Sequence, residues 1–266
     1  LTLAKLSSPK GGISLKKSSS SIASILAPIV MFFILFGLWQ LITIVFNIPR
    51  WILPGPIEIF KEMFGNFGEF LPHVWVSIRT IGTGFLIAVP CGIILGGLIT
   101  NFKVLDSTLS PYIIFLVTTP LITLVPLLML WFGFGIGVKI LAVIIQSFPI
   151  VNMNSATGFN NIEAIRLELM QSLSANRVQT FFRAILPSAL PDVFTGMKLA
   201  GIFATTACIS AEYVGGNVGL GSQIIKYSQF MRTESAFSCI FFVAVIGVAL
   251  YGLISLMEKL VIRWKI

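Results

Sequence analysis

Few side chains in this sequence are of a type and spacing that would do covalent chemistry. The one histidine, His73, follows Pro72 at the start of an apolar run, and a lone imidazole at such a boundary reads as structural rather than catalytic. Cys91, Cys208 and Cys239 each lie in an apolar run, far apart in sequence. They read as small hydrophobic filler, so no metal or disulfide framework is expected. The chain has no G-x-x-x-x-G-K-[ST], H-E-x-x-H, C-x-x-C or G-x-S-x-G, and is expected to cradle no nucleotide, hold no metal and make no acyl-enzyme. What remains is recognition chemistry. Thr118, Thr119, Thr123, Gln146, Asn152, Asn154, Thr205 and Thr206 are uncharged polar residues within apolar stretches. They are expected to face inward, either bonding helix to helix or lining a translocation pathway. Glu212, near the end of an apolar run and followed by Gly215-Gly216, is a candidate outer gate, because a carboxylate inside a membrane is costly unless it has a task. Arg79 and Lys198 lie close enough to run ends for their long stems to snorkel to the surface.

The elements that must position these residues follow from composition. The chain has 266 residues, 56% hydrophobic and only 11% charged, with a mean hydropathy of +0.96. Soluble domains carry roughly 25% charged residues. An all-α integral membrane protein is expected, since the apolar runs are longer than the ~10-residue strands of an outer-membrane barrel. About six transmembrane helices are read, at 22–46, 74–100, 109–133, 137–158, 191–215 and 236–257, each near the ~20 residues a span requires. The third and fourth are separated only by Gly133–Gly137 and are read as tilted or broken. Pro120, Pro126 and Pro149 interrupt them. A proline frees a carbonyl that only protein or a water-filled cavity can satisfy, so these residues are expected to point into the bundle. Gly196, Ala200, Gly201 and Ala204 recur at spacings of three and four and suit close helix–helix approach, with a two-fold interface between copies as one place for it.

The first run follows Lys5, Lys10, Lys16 and Lys17. It exceeds the 7–15 residues of a signal-peptide core and no small-residue cleavage site follows, so it reads as a retained span behind a Ser-rich tail at 1–21. Lys103, Arg166, Arg177, Arg183, Lys259, Arg263 and Lys265 join those four lysines on one side of the expected topology, against Arg50, Lys61, Lys226 and Arg232 on the other. The positive-inside rule then puts both termini in the cytoplasm. The net charge of +8 reads as loop charge facing anionic lipid headgroups, not as a nucleic-acid surface, because no basic cluster falls on a soluble domain. On the outer side, the segment IEIFKEMF after WILPGP reads as an interfacial amphipathic helix.

The least membrane-like stretch is NIEAIRLELMQSLSANRVQTFFRAILPSALP, residues 161–191. It is helix-patterned, polar and longer than a simple connection needs. Its arginines place it in the cytoplasm, where a structured island between spans reads as a docking site.

This island resembles the EAA signature loop of ABC importer permeases, with Glu168 in the glutamate place and Leu186-Pro187 as the closing pair. Leu169 and Met170 replace the family's two alanines, Ser174 its glycine and Ala184 its isoleucine. PLLMLWFGFGIGVKI (126–140), FPIVNMNSATG (148–158), SANRVQTFFRAILPSALP (174–191), AEYVGGNVGLGSQI (211–224) and WILPGPIEIF (51–60) are similar to segments of the nitrate/sulfonate/taurine-type permeases. The resemblance implies a type I ABC importer permease fold, a single transmembrane domain over 22–266 with a cytoplasmic helical coupling loop at about 159–190. It implies a second permease copy, cytoplasmic ABC ATPase subunits that bind ATP and Mg, an extracytoplasmic solute-binding protein, and a bacterial-type plasma membrane.

In such a loop Ser174, Ala175 and Asn176 would make the bend, with Asn176 tolerant of a left-handed conformation. Phe181, Phe182 and Ile185 would give apolar contacts to the ATPase, and Arg177 and Arg183 would steer its carboxylates. Two other readings stay open on the residues alone: an ion-gradient-driven secondary carrier, and a non-transporting membrane scaffold. Against the carrier, no carboxylate falls at a span centre and no inverted repeat is visible. The substrate is expected among nitrate, sulfonates or taurine, and vitamin precursors.

Overall fold

A computed structural model describes residues 20–263, with side chains from Leu26 onward. Most of the expected tail at 1–21 lies outside the described residues, as does Lys265. The described residues are helical without strands: α1 (Ser20–Val45), α2 (Pro56–Gly65), α3 (Phe67–Asn101), α4 (Lys103–Thr118), α5 (Leu121–Phe132), α6 (Ile136–Asn160), α7 (Ala164–Ser172), α8 (Arg177–Thr180), a π turn (Phe181–Ile185), α9 (Leu186–Gly215), α10 (Leu220–Gln229) and α11 (Thr233–Val261). Among the described residues, five helices are long and apolar enough to cross a membrane, or six if the bent pair α4–α5 counts as one span. Residues up to Ile48 and residues from Pro49 on form separate compact units. The first is α1, a single apolar span. The functional features all lie in the second.

That second unit is built on α3, α6 and α9, and small residues explain why these helices pack so closely. Gly84, Ala88, Gly92 and Gly96 recur every fourth position of α3, giving it a smooth ridge. A Cβ added to Gly84 would stand 2.6 Å from Val143 Cβ, one added to Gly92 2.8 Å from Val151 Cβ, and one added to Gly96 3.0 Å from Ser155 Cβ. The partner positions on α6 share the same four-residue row, so the two helices mesh along their length. On the far face of α6, Gly196 of α9 meets Asn154 with a would-be Cβ only 2.6 Å from Asn154 Cβ. Gly196, Ala200, Gly201 and Ala204 are all buried within the chain. Gly201 faces Ile254 and Leu250 of α11. These small residues are therefore spent on intramolecular packing and are not left for an interface between copies.

The third expected span is broken. α4 and α5 meet at 103° across Thr119 and Pro120. Pro120 offers no N–H to continue α4, and the last turn of α4 closes instead with Thr119 N–H on Phe115 O at 3.0 Å. The prolines divide: Pro149 is buried, but Pro120 and Pro126 are exposed on this chain, contrary to the expectation that all three point into its bundle. The helix Arg177–Gly215 runs unbroken for 39 residues through α8, the π turn and α9. The second arm of the polar island is thus the lower part of a span, not a separate short helix. The ammonium of Lys198 pairs with Glu258, near the end of α11.

At the end of the bundle away from α7, the amphipathic α2 rests on α11, with Phe60 edge-on to Phe241 at 5.1 Å and Ser238 Oγ donating to Ile59 O at 3.2 Å. Arg232 reaches Glu62 Oε1 at 3.1 Å and covers the Tyr227 ring at 4.9 Å. Tyr227 donates its hydroxyl to Glu69 at 2.7 Å, and burial together with that carboxylate pushes its phenol up from the ordinary range. These contacts knit α2, α3, α10 and α11 into one cap.

Candidate functional site

Three features hold the coupling-loop residues, half of the expected pathway residues and Glu212: the α7–α8 corner, a cavity at the α4–α5 break, and a buried carboxylate beneath the loop 216–221.

The corner turns on Ser174. Its φ is 55°, in the left-handed region. Ser174 N–H bonds to Gln171 O at 2.9 Å and Ala175 N–H to Met170 O at 3.0 Å. Those paired bonds are the Schellman arrangement that ends a helix, with serine in the position that glycine usually fills. Of the three residues expected to make the bend, Asn176 is extended (φ −72°, ψ 168°) and caps α8. Its Oδ1 accepts from Gln179 N–H at 2.8 Å while the Gln179 side chain accepts from Asn176 N–H at 3.0 Å. Each group satisfies an otherwise orphaned helix-end donor. The corner is tied back to the span by Arg166, which bonds Glu163 and Ser188 Oγ, each at 3.0 Å.

A register shift decides which aromatic faces where. Pro187 cannot donate to Arg183 O, and just upstream the ladder widens, so that Leu186 N–H bonds to Phe181 O. Phe181 then turns inward and half-buries against Phe159 of α6, ring centroids 5.6 Å apart. Phe182 points outward, 60% exposed. Leu186 and Pro187 are half-buried and Ala184 is buried. Ile165, Leu169, Leu173 and Val178 are also exposed on the corner. Glu168, Arg177 and Arg183 are exposed, and none forms an ion pair among the described residues. Leu173 and Val178 were not singled out by the sequence pattern. The signal for them was available, as large apolar residues inside the most polar stretch.

The second feature is a cavity of about 310 Å³ at the α4–α5 break, walled by α6 and α9. Thr118, Thr119, Gln146 and Thr206 line it, joined by Phe203 and Ser210. The other expected pathway residues lie elsewhere. Thr123 is exposed and donates to Pro120 O at 2.7 Å. Asn154 packs on Gly196 and donates to Ile150 O at 2.8 Å. Thr205 is buried and donates to Gly201 O at 3.1 Å. Asn152 lines a different cavity, of about 400 Å³, with Thr100, Lys103, Asp106 and Asn160 at the α7 end of the bundle.

The third feature centres on Glu212, whose side chain is wholly buried. It accepts Ser77 Oγ at 2.8 Å and Gly221 N–H at 2.8 Å. Leu220 N–H in turn bonds to Ser77 Oγ at 3.0 Å, and His73 Nδ1 accepts from Gly219 N–H at 3.2 Å. These donors belong to the start of α10, where a negative charge is welcome. Gly219 has φ 126°, and a Cβ there would stand 2.2 Å from Glu212 Oε1, so only glycine fits. Lys139, buried, donates to Val218 O at 2.7 Å and fixes the other side of the same loop. Glu212, expected at an outer gate, is closed into a clamp that secures the loop between α9 and α10.

Comparison with known proteins bears on the family and the fold. Residues 88–263 match the family model described as "Binding-protein-dependent transport system inner membrane component". The chain is 30% identical over 235 residues to the Bacillus subtilis permease protein SsuC, named for aliphatic sulfonates transport, covering 87% of this chain and 85% of that one. It is 26% identical over 245 residues to the formylaminopyrimidine transport permease protein ThiX of Halalkalibacterium halodurans, covering 90% and 96%. Its fold is shared with a crystal structure of an amino acid ABC transporter, at a TM-score of 0.59 and 19% identity over 76% of this chain and 96% of that one.

Proposed function

Because the chain belongs to the family of binding-protein-dependent transport system inner membrane components, we propose that it is the permease subunit of an ATP-driven importer, coupled to a separate ATPase through the α7–α8 corner. The observation that carries this reading is the corner itself. Ile165, Leu169, Leu173, Val178 and Phe182 are exposed there beside Arg177 and Arg183. An apolar patch with unpaired cations at its rim is a surface built for a protein partner bearing carboxylates. Glu168 lies on the same exposed corner and belongs to the docking surface.

Two copies of the chain enclose the translocation pathway. Exposed Pro126 supports this, since its freed carbonyl needs protein or a water-filled cavity beside it. The cavity at the break is the part of that pathway contributed by one copy. The loop 216–221 and the α2–α10 cap face a solute-binding protein on the outer side, and both termini lie in the cytoplasm beneath a bacterial-type plasma membrane. The ATPase holds ATP and Mg. Closing of the ATPase pair moves the two corners together, and each corner moves its 39-residue helix as one lever, switching the bundle between inward- and outward-facing states. This chain makes and breaks no covalent bond. Sulfonates and pyrimidine or vitamin precursors are the substrate classes the relatives bring into view.

The test is purification of the tagged chain from its native membrane in mild detergent, with the ATPase activity of the preparation measured. The wild type is expected to bring an ATPase with it. A Phe182→Asp, Arg183→Asp chain that folds normally is expected to lose it. A wild-type chain that purifies alone in every mild detergent would refute the reading.

A further inference from the structure

We propose that the cavity at the α4–α5 break selects an uncharged, planar solute rich in N–H donors, an amino-substituted heterocycle in chemical class, over a sulfonate or other anion. The inference rests on the reading of that cavity as part of the translocation pathway. Among the described residues, no ionisable side chain lines it. An anion leaving water there would meet no countercharge, a cost that hydrogen bonds alone repay only in part.

The hydroxyls that line the cavity are not free to donate. Thr119 Oγ1 gives its proton to Phe115 O at 2.7 Å, and Thr118 Oγ1 to Ile114 O at 3.1 Å. Thr206 Oγ1 donates to Phe203 O and Ser210 Oγ to Thr206 O, both at 2.9 Å. A hydroxyl has one proton and two lone pairs. With the proton spent on the helix backbone, each oxygen shows the cavity an acceptor only. A sulfonate also carries only acceptors, so every contact with these oxygens would require a backbone-directed bond to break. An amino group or ring N–H meets them without that loss.

The helix ends at the break do not reverse this preference. The C-terminal carbonyls of α4 and the first N–H groups of α5 meet at the same place with opposing fields. Gln146 offers one acceptor and two donors, enough to fix the orientation of a heterocycle. Phe203, 42% exposed, lies on the same face of α9 as Thr206 and Ser210, three and seven residues on. Its ring gives a planar solute a surface to stack on.

The experiment uses the whole importer, this chain with its ATPase and its binding protein, in proteoliposomes. ATP-dependent uptake of radiolabelled 4-amino-2-methylpyrimidine is compared with that of ethanesulfonate. The aminopyrimidine is expected to enter at least about tenfold faster, a floor well below the discrimination that hydrogen-bonding sites reach. A Thr119→Val, Thr206→Val chain should lose most of that uptake. Thr119→Ser with Thr206→Ser, which keeps both oxygens, should restore it. Ethanesulfonate uptake equal to or faster than that of the aminopyrimidine overturns the proposal. Uptake of neither probe while ATP is hydrolysed also overturns it and leaves the importer reading standing. A preparation with no bound ATPase and no ATP-driven uptake overturns both.

Discussion

The hydroxyl of Ser77 on α3 donates at 2.8 Å to Glu212 on α9, 135 residues away in sequence, and the same oxygen accepts the N–H of Leu220 at 3.0 Å. One serine thus bridges a buried carboxylate and the first turn of α10. Removing the carboxylate orphans Gly221 N–H and the Ser77 proton together. Each orphaned buried group costs about 1–3 kcal/mol. Glu212→Ala should therefore lower the unfolding midpoint of the detergent-solubilised chain and speed hydrogen exchange at residues 219–223. Slower transport with unaltered stability and exchange would show instead that Glu212 acts on the passing solute, as an outer gate would.

A second relationship tests the close meshing of α3 and α6. Gly92 leaves room for Val151, whose Cβ would stand 2.8 Å from any added Cβ. Gly92→Ala should cost about 1–3 kcal/mol through forced separation of the two helices. Adding Val151→Gly should return part of that loss, because the second change removes Cβ and Cγ1, two of the three atoms that crowd the added methyl. The measurement is a double-mutant cycle on unfolding in detergent. Strictly additive costs would mean that the helices do not approach each other along this ridge.

The extent of the helices was legible because hydropathy and span length are properties of single segments, and the described helices largely follow the apolar runs. What the sequence concealed depends on partners distant in the chain. The contacts of Glu212 were hidden because nothing near it in sequence announces Ser77 or the N–H groups of α10. Gly196 and Ala200 looked available to a second copy because spacing shows that a helix face is smooth, not which neighbour uses it. The two neighbouring phenylalanines separated for a different reason. Both were expected on the docking face, but the π turn ahead of Pro187 shifts the register by one residue and turns Phe181 onto Phe159. The pathway residues separated in the same way. Thr118, Thr119, Gln146 and Thr206 share a cavity only because Pro120 folds α4 away from α5.

The corner offers the sharpest test, because one residue there sits in a conformation its side chain disfavours. Ser174 holds φ 55° with a Cβ present, and left-handed backbone costs an ordinary L-residue about 1–2 kcal/mol. Glycine pays no such cost in the folded state but loses more entropy on folding, by roughly 0.5–1 kcal/mol. The net gain from Ser174→Gly should be several tenths of a kcal/mol to about 1 kcal/mol. Ser174→Val should cost more than serine does, since a β-branched residue fits this region worst. Both changes are read locally, by hydrogen exchange of Ala175 N–H, which closes the Schellman bond to Met170 O. Exchange should slow in the glycine variant and quicken in the valine variant. If glycine quickens it, the corner is held by contacts other than this backbone turn, and the bond between Ala175 and Met170 is not what sets the angle between α7 and the long helix.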